Sequence, residues 1–186
     1  MKIIGQGHMD GACFLYSIAN AMQCLTDRTN KAVPAKNWAE MVSLLNASDF
    51  LDSRIGTMKT DKNAELQEQL ALACISKLDP ASNYSIKTVK DLNASSRFEQ
   101  YVTKETVVLL PTQEHWYCLV DSQDKVAYLA CSSAWQETRE KYQEGSSPRL
   151  NRVFNTTIAF KDLKLMDNRA IAVSIKQKQS GGKKSK

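Results

Sequence analysis

The chain has 186 residues, 42% of them hydrophobic and 24% charged, enough for one globular domain with a substantial core and too apolar in its body for a disordered protein. Its formal net charge of +5 is carried by Lys176, Lys178, Lys183, Lys184 and Lys186, in a final stretch without an acid. The body is therefore electrically balanced, and charge makes no case for a nucleic-acid partner. Only Ile3 and Ile4 follow Lys2 before polar residues begin, and no apolar run reaches membrane length, so the sequence predicts a cytoplasmic protein with no membrane partner. Residues 1–175 are expected to form a single domain and 176–186 a disordered Lys-rich tail.

In chain order the first predicted element is a helix from Cys13 to Leu25, with Phe14, Ile18, Met22 and Leu25 on one face, Leu15 beside them, and Thr26-Asp27 ending it. A second runs from Ala35 to Asn46 behind Pro34, with Trp38, Met41, Val42 and Leu45 inward. A third covers Lys62 to Leu78, with Leu66, Leu70 and Cys74 on its buried face, and stops before Pro80. Ser85 to Val102 is assigned as a fourth, with Asn93-Ala94-Ser95-Ser96 as a weak point. After Thr103 the pattern turns to strands: Thr106 to Leu110, His115 to Asp121, Val126 to Cys131, Val153 to Phe160 and Ala170 to Ile175. Trp135 to Leu150 reads as a polar insert. Helices followed by an antiparallel sheet make an α+β arrangement.

The chemistry-bearing feature is Gly11-Ala12-Cys13-Phe14-Leu15-Tyr16-Ser17. A cysteine at the first residue of a helix meets unpaired N–H groups and the positive end of the helix dipole, which favour a thiolate and can hold an oxyanion. Taken singly, such a cysteine is better read as a buried structural thiol; the glycine two before it, the small residue one before and the aromatic one after shift the reading to a nucleophile. The other cysteines, Cys24, Cys74, Cys118 and Cys131, bring the total to an odd five, and their wide spacing predicts reduced thiols. Cys24 stands roughly 16 Å from Cys13 by helix rise, too far to resolve it. No Cys-x-x-Cys or paired-histidine spacing supports zinc, so neither metal nor cofactor is expected.

A cysteine nucleophile needs a base, and the histidines are His8 and His115. His115 opens a predicted strand and is preferred; His8 lies too close to Cys13 along the chain. If Ser122 to Lys125 close a hairpin, Asp121 pairs with Val126 and Ser132 falls opposite His115, making Ser132 the first choice to orient the ring. Asp121 shares that face but lies roughly 20 Å along the strand. Asp10, or an acid from elsewhere, is the alternative orienter.

The run Gly-Ala-Cys-Phe-Leu-Tyr-Ser resembles the nucleophile segment of papain-like cysteine peptidases, and Gln6-Gly7 resembles the oxyanion glutamine of that family, one residue farther from the cysteine. Asp10-Gly11-Ala12-Cys13 is also similar to the Asp-Gly-x-Cys opening of the ovarian-tumour deubiquitinases, whose oxyanion site leans on the loop holding the aspartate. The resemblance implies a papain-like fold, the nucleophile helix first and packed with other helices on a C-terminal antiparallel sheet. It also implies a cysteine-nucleophile hydrolase of peptide or isopeptide bonds, with a protein or peptide substrate. Cys13 is then nucleophile and His115 base, with Gln6 or the Asp10-Gly11 loop on the oxyanion. Where that family has asparagine or aspartate, this chain has Cys131-Ser132-Ser133. An acyltransferase or deamidase on the same scaffold, or a catalytically inactive binding module, are the alternatives.

Overall fold

The computed structural model describes residues 3–6, 11–26, 33, 35–51, 57, 64–92, 98–113, 115–134 and 142–176. Helices α1 (Cys13–Thr26), α2 (Ala35–Val42), α3 (Ala47–Leu51) and α4 (Ala64–Leu78) precede the strands of the sheet. Strands β1 (Asn83–Val89), β2 (Thr106–Pro111), β3 (Trp116–Gln123), β4 (Val126–Ala130), β7 (Thr156–Ala159) and β8 (Ala170–Lys176) form six antiparallel strands in the order β1-β8-β2-β3-β4-β7. The short β5 (Gly145–Ser146) and β6 (Val153–Phe154) pair separately. The fold is mixed α+β. No described helix is long and apolar enough to cross a membrane.

The two faces of the central strands bury different partners because successive side chains alternate. Val107, Leu109, Trp116, Cys118, Ile171 and Val173 pack under α1 with Phe14, Leu15 and Ile18. Val108, Leu110, Leu119 and Leu129 face a second core with Leu92, Phe98, Val102 and Phe160. Central strands covered on both sides read as continuous apolar runs, which is why Val107-Val108-Leu109-Leu110 shows no polar alternation.

Several expected elements change. Ser85 to Val102 is not a helix: Asn83–Val89 is strand β1, paired to β8 with Ile86 opposite Val173, and Phe98–Gln100 is one 3-10 turn. Tyr84, Ile86 and Thr88 recur with a period of two, and β-branched residues suit that pleat. Helix α4 covers this edge, its Glu68 accepting from the Thr88 N–H at 2.7 Å and from the Thr88 hydroxyl. The buried face of α4 is Gln67, Ala71, Cys74 and Ile75, with Leu70 alongside, while Leu66 lies exposed. The second helix ends at Val42 rather than Asn46. Val153 to Phe160 splits at Asn155, whose side chain bonds both the N–H and the carbonyl of Cys131 at 2.8 Å. Lys176 closes β8 opposite Asn83 instead of opening the tail; residues 177–186 lie outside the described residues.

The β3–β4 hairpin is also tighter than expected. Gln123 pairs with Val126, not Asp121, across a two-residue turn whose Asp124 (φ 52°) and Lys125 (φ 62°) are both left-handed. Such a turn matches the twist of the strands it joins. The register then slips between Leu119 and Asp121, leaving Val120 outside the ladder. Its freed carbonyl accepts from Arg152 Nη1 at 3.0 Å.

Candidate active site

Cys13 is the first residue of α1, where Ala12 supplies the carbonyl for the first helical bond (Tyr16 N, 3.1 Å) but no capping side chain. The cap comes from Thr57, far along the chain. Its Oγ1 accepts from the Phe14 N–H at 3.2 Å and donates to the Gly11 carbonyl at 2.9 Å, while its own N–H reaches the same carbonyl at 2.8 Å. The Cys13 Sγ lies 3.5 Å from the same hydroxyl. A hydroxyl has one proton. With that proton on Gly11, Thr57 accepts from the Cys13 thiol and cannot donate to it. Thr57 was missed in the sequence because nothing local marks it: a cap is recognised beside its helix, and this one lies in a distant segment.

His115 immediately precedes β3. Thr112 clamps its backbone, giving its N–H and Oγ1–H to the His115 carbonyl at 2.9 Å each and taking the His115 N–H on Oγ1 at 3.1 Å. The next residue, Trp116, is fully buried and stacks on Phe14 with ring centroids 4.5 Å apart. The neighbours of Cys13 and His115 therefore touch, which joins the start of α1 to the start of β3. Burial pushes the His115 imidazole from its ordinary 6.5 down to about 4, because an apolar surrounding disfavours the charged ring.

Ser132 lies just beyond β4. Its Oγ is 3.2 Å from His115 Nε2 and donates to Gln6 Oε1 at 3.3 Å, and its carbonyl accepts the Gln6 N–H at 2.8 Å. The extended segment at residues 3–6 is strapped down elsewhere too. Asn20 of α1 exchanges two bonds with the backbone of Ile4, at 2.7 and 3.1 Å, and Glu144 accepts the Ile3 N–H at 2.8 Å. Gln6, His115 and Ser132 thus form one buried hydrogen-bonded set, while Cys13 and Gly11 form a second around Thr57. Asp10, and His8 with it, lies outside the described residues.

The contact between Ser132 and His115 does not arise by the cross-strand pairing expected from the sequence. A tighter turn and the bulge at Val120 move the register, and Ser132 reaches the ring because β4 has already ended at Ala130. Asn155, bonded to both sides of Cys131, holds the chain on this path.

Asp121 does not approach the histidine. It is wholly buried and receives Arg149 Nη2 at 2.9 Å along with the N–H groups of Ser122, Arg149 and Leu150. Tyr117 meets the His115 ring edge-on at 5.0 Å and also walls a cavity of about 310 Å³ lined by Thr112, Ile158, Asp162, Leu163 and Lys164. All five cysteines are free thiols. Burial raises Cys74 to about 12 and also raises Cys118 and Cys131. Among the described residues no group of His, Cys, Asp and Glu could hold a metal ion. No protein-family model, curated protein or solved structure matches this chain.

Proposed function

We propose that this chain is a papain-like cysteine hydrolase of peptide or isopeptide bonds, with Cys13 as nucleophile, His115 as base and Ser132 orienting the ring. The carrying observation is the 3.2 Å contact between Ser132 and His115 Nε2, on a histidine whose neighbour Trp116 packs against the neighbour of Cys13. A helix-first cysteine, a strand-first histidine and a buried polar partner on that histidine are the parts acyl transfer through a thioester requires.

The environment favours one version of that chemistry. A ring held down to about 4 by burial, with a hydroxyl rather than a carboxylate on Nε2, does not stabilise a standing imidazolium. The resting imidazole is therefore neutral. As Cys13 Sγ forms its bond to the carbonyl carbon, the thiol proton passes to His115, and the developing oxyanion takes the Cys13 N–H with Gln6 or the loop at Gly11. The C–N bond then breaks as His115 returns the proton to the leaving amine, leaving a thioester. Water gives a proton to His115, attacks the thioester and releases the acid, while the thiol regains its proton.

A papain-like binding module without turnover is the second reading, favoured by the burial of Cys13, 5% exposed. Limiting iodoacetamide with mass-spectrometric mapping separates the two. Hydrolysis predicts Cys13 modified at least tenfold faster than the other thiols at pH 7.5, with the preference lost in His115→Ala. Equal or absent labelling of Cys13 in the folded protein sinks the enzyme reading.

A further inference from the structure

We propose that Gln6 is a positioning residue that sets the tautomer of His115: its Oε1 takes the only hydroxyl proton of Ser132, so Ser132 accepts from His115 Nε2–H and the ring keeps its lone pair on Nδ1. This rests on the reading of His115 as the base.

The reasoning is a count of protons. Amide oxygens only accept, and a serine hydroxyl has one hydrogen to give. Ser132 Oγ stands 3.3 Å from Gln6 Oε1 and 3.2 Å from His115 Nε2. Were the proton directed at the ring, Oγ and Oε1 would face each other lone pair to lone pair. The three residues are 8%, 1% and 8% exposed for Gln6, Ser132 and His115, so bulk water does not relieve that conflict. Directed at Gln6, the proton makes that contact a hydrogen bond, and the hydroxyl oxygen is left to receive an N–H from the ring. The imidazole is neutral at physiological pH, being held down by burial, so a choice of tautomer exists to be made.

The position of Gln6 is built rather than incidental. Its N–H is fixed on the Ser132 carbonyl at 2.8 Å, and two residues earlier Ile4 is held by both ends of the Asn20 amide. A serine alone orients a histidine poorly, since it donates as readily as it accepts. Gln6 removes that freedom and gives the hydroxyl the directional sense that an acceptor-only carboxylate has by nature.

The test is the two-bond proton–nitrogen spectrum of the full chain labelled with ¹⁵N-histidine, at pH 8, with His115 assigned from the signals lost in His115→Gln. The expected spectrum has a protonated Nε2 and a bare Nδ1. Gln6→Met, checked as folded by its amide spectrum, should raise the Nδ1–H form by at least several fold. Gln6→Glu keeps an acceptor while removing the amide donors, and should hold Nε2–H. A wild-type ring protonated on Nδ1 overturns the proposal, because the Gln6 amide is then turned about and donating into the chain. An Nε2–H form indifferent to Gln6→Met overturns it equally. Neither result depends on whether Cys13 reacts, so failure here is distinct from failure of the hydrolase reading.

Discussion

Ser132 places its hydroxyl 3.2 Å from Nε2 of His115, where a carboxylate or amide would serve a stronger base. A hydroxyl directs the ring but adds no charge to it, and burial then sets the basicity. Removing that hydroxyl in Ser132→Ala deletes two neutral hydrogen bonds, to Gln6 Oε1 and to the ring, the one on the ring contributing about 0.5–1.5 kcal/mol. The Cys13 alkylation rate at pH 7.5 should fall by roughly three- to tenfold. Ser132→Asp should act oppositely on the ring, raising the His115 titration from about 4 toward its ordinary range, as read from the imidazole proton shifts. An unchanged titration in Ser132→Asp would show that residue 132 is not coupled to the ring.

His115 also makes stability depend on pH. Its folded pKa, about 4, lies below the unfolded 6.5, so the unfolded chain binds a proton that the folded chain refuses between those values. Stability is whole above pH 6.5, declines as pH falls toward 4, and then levels as far as this group is concerned. The displacement corresponds to roughly 3 kcal/mol. Urea unfolding at pH 7 and pH 4 should show the wild type losing more stability than His115→Gln by about that amount. Equal losses would mean the ring is solvated.

Thr57 caps α1 from outside its own segment, and its hydroxyl accepts the Phe14 N–H at 3.2 Å. Thr57→Val keeps the shape and removes the cap, which should cost about 1–2 kcal/mol in urea unfolding. Thr57→Ser should recover most of it. A neutral valine variant would show that the start of α1 is held by packing alone.

Asp121 is the buried acid nearest the histidine's strand face in sequence, yet the structure gives it to Arg149 and three backbone N–H groups. Asp121→Ala strands those donors and should cost about 3 kcal/mol, with Arg149 partly solvated and the penalty correspondingly at the low end. Asp121→Asn should cost less. Cys13 reactivity per folded molecule should stay unchanged in both, and a selective loss of reactivity would move Asp121 into the site.

The hairpin turn gives a separate check on register. Lys125 adopts φ 62°, a conformation that costs an L-residue about 1–2 kcal/mol and glycine little. Lys125→Gly should therefore raise the unfolding free energy by about 0.5–1 kcal/mol after the entropy lost by glycine, seen as a higher urea midpoint. A lower midpoint would argue against the two-residue turn.

The α+β order and the interior of α1 were legible in the chain because both follow from local periodicity. Phe14, Ile18 and Met22 repeat at the helical period, and Val107 to Leu110 form a β-branched and leucine run. Cys13 and His115 were legible as residue types with chemistry at the starts of such elements. The strand at Asn83–Val89 was hidden since seven residues of mixed polarity satisfy a helix about as well as an edge strand until β8 lies beside them. The buried side of α4 went astray for a related reason: which of its leucines turns inward depends on where β1 and α1 press against it.

What the sequence by itself determined is the set of local preferences: where α1 begins, and that His115 stands at the head of a strand. The tertiary structure alone decided the partners. Thr57 reaches Gly11, Cys13 and Phe14, Gln6 reaches Ser132, and Ser132 reaches His115, all between residues brought together by packing. Periodicity and capping act over a few residues, whereas a hydrogen bond between distant segments depends on turn length, bulges and the path of the chain beyond the strand ends. The slip at Val120 and the Asn155 bridge set that path around Ser132, and neither has a signature within the few residues that local pattern can read.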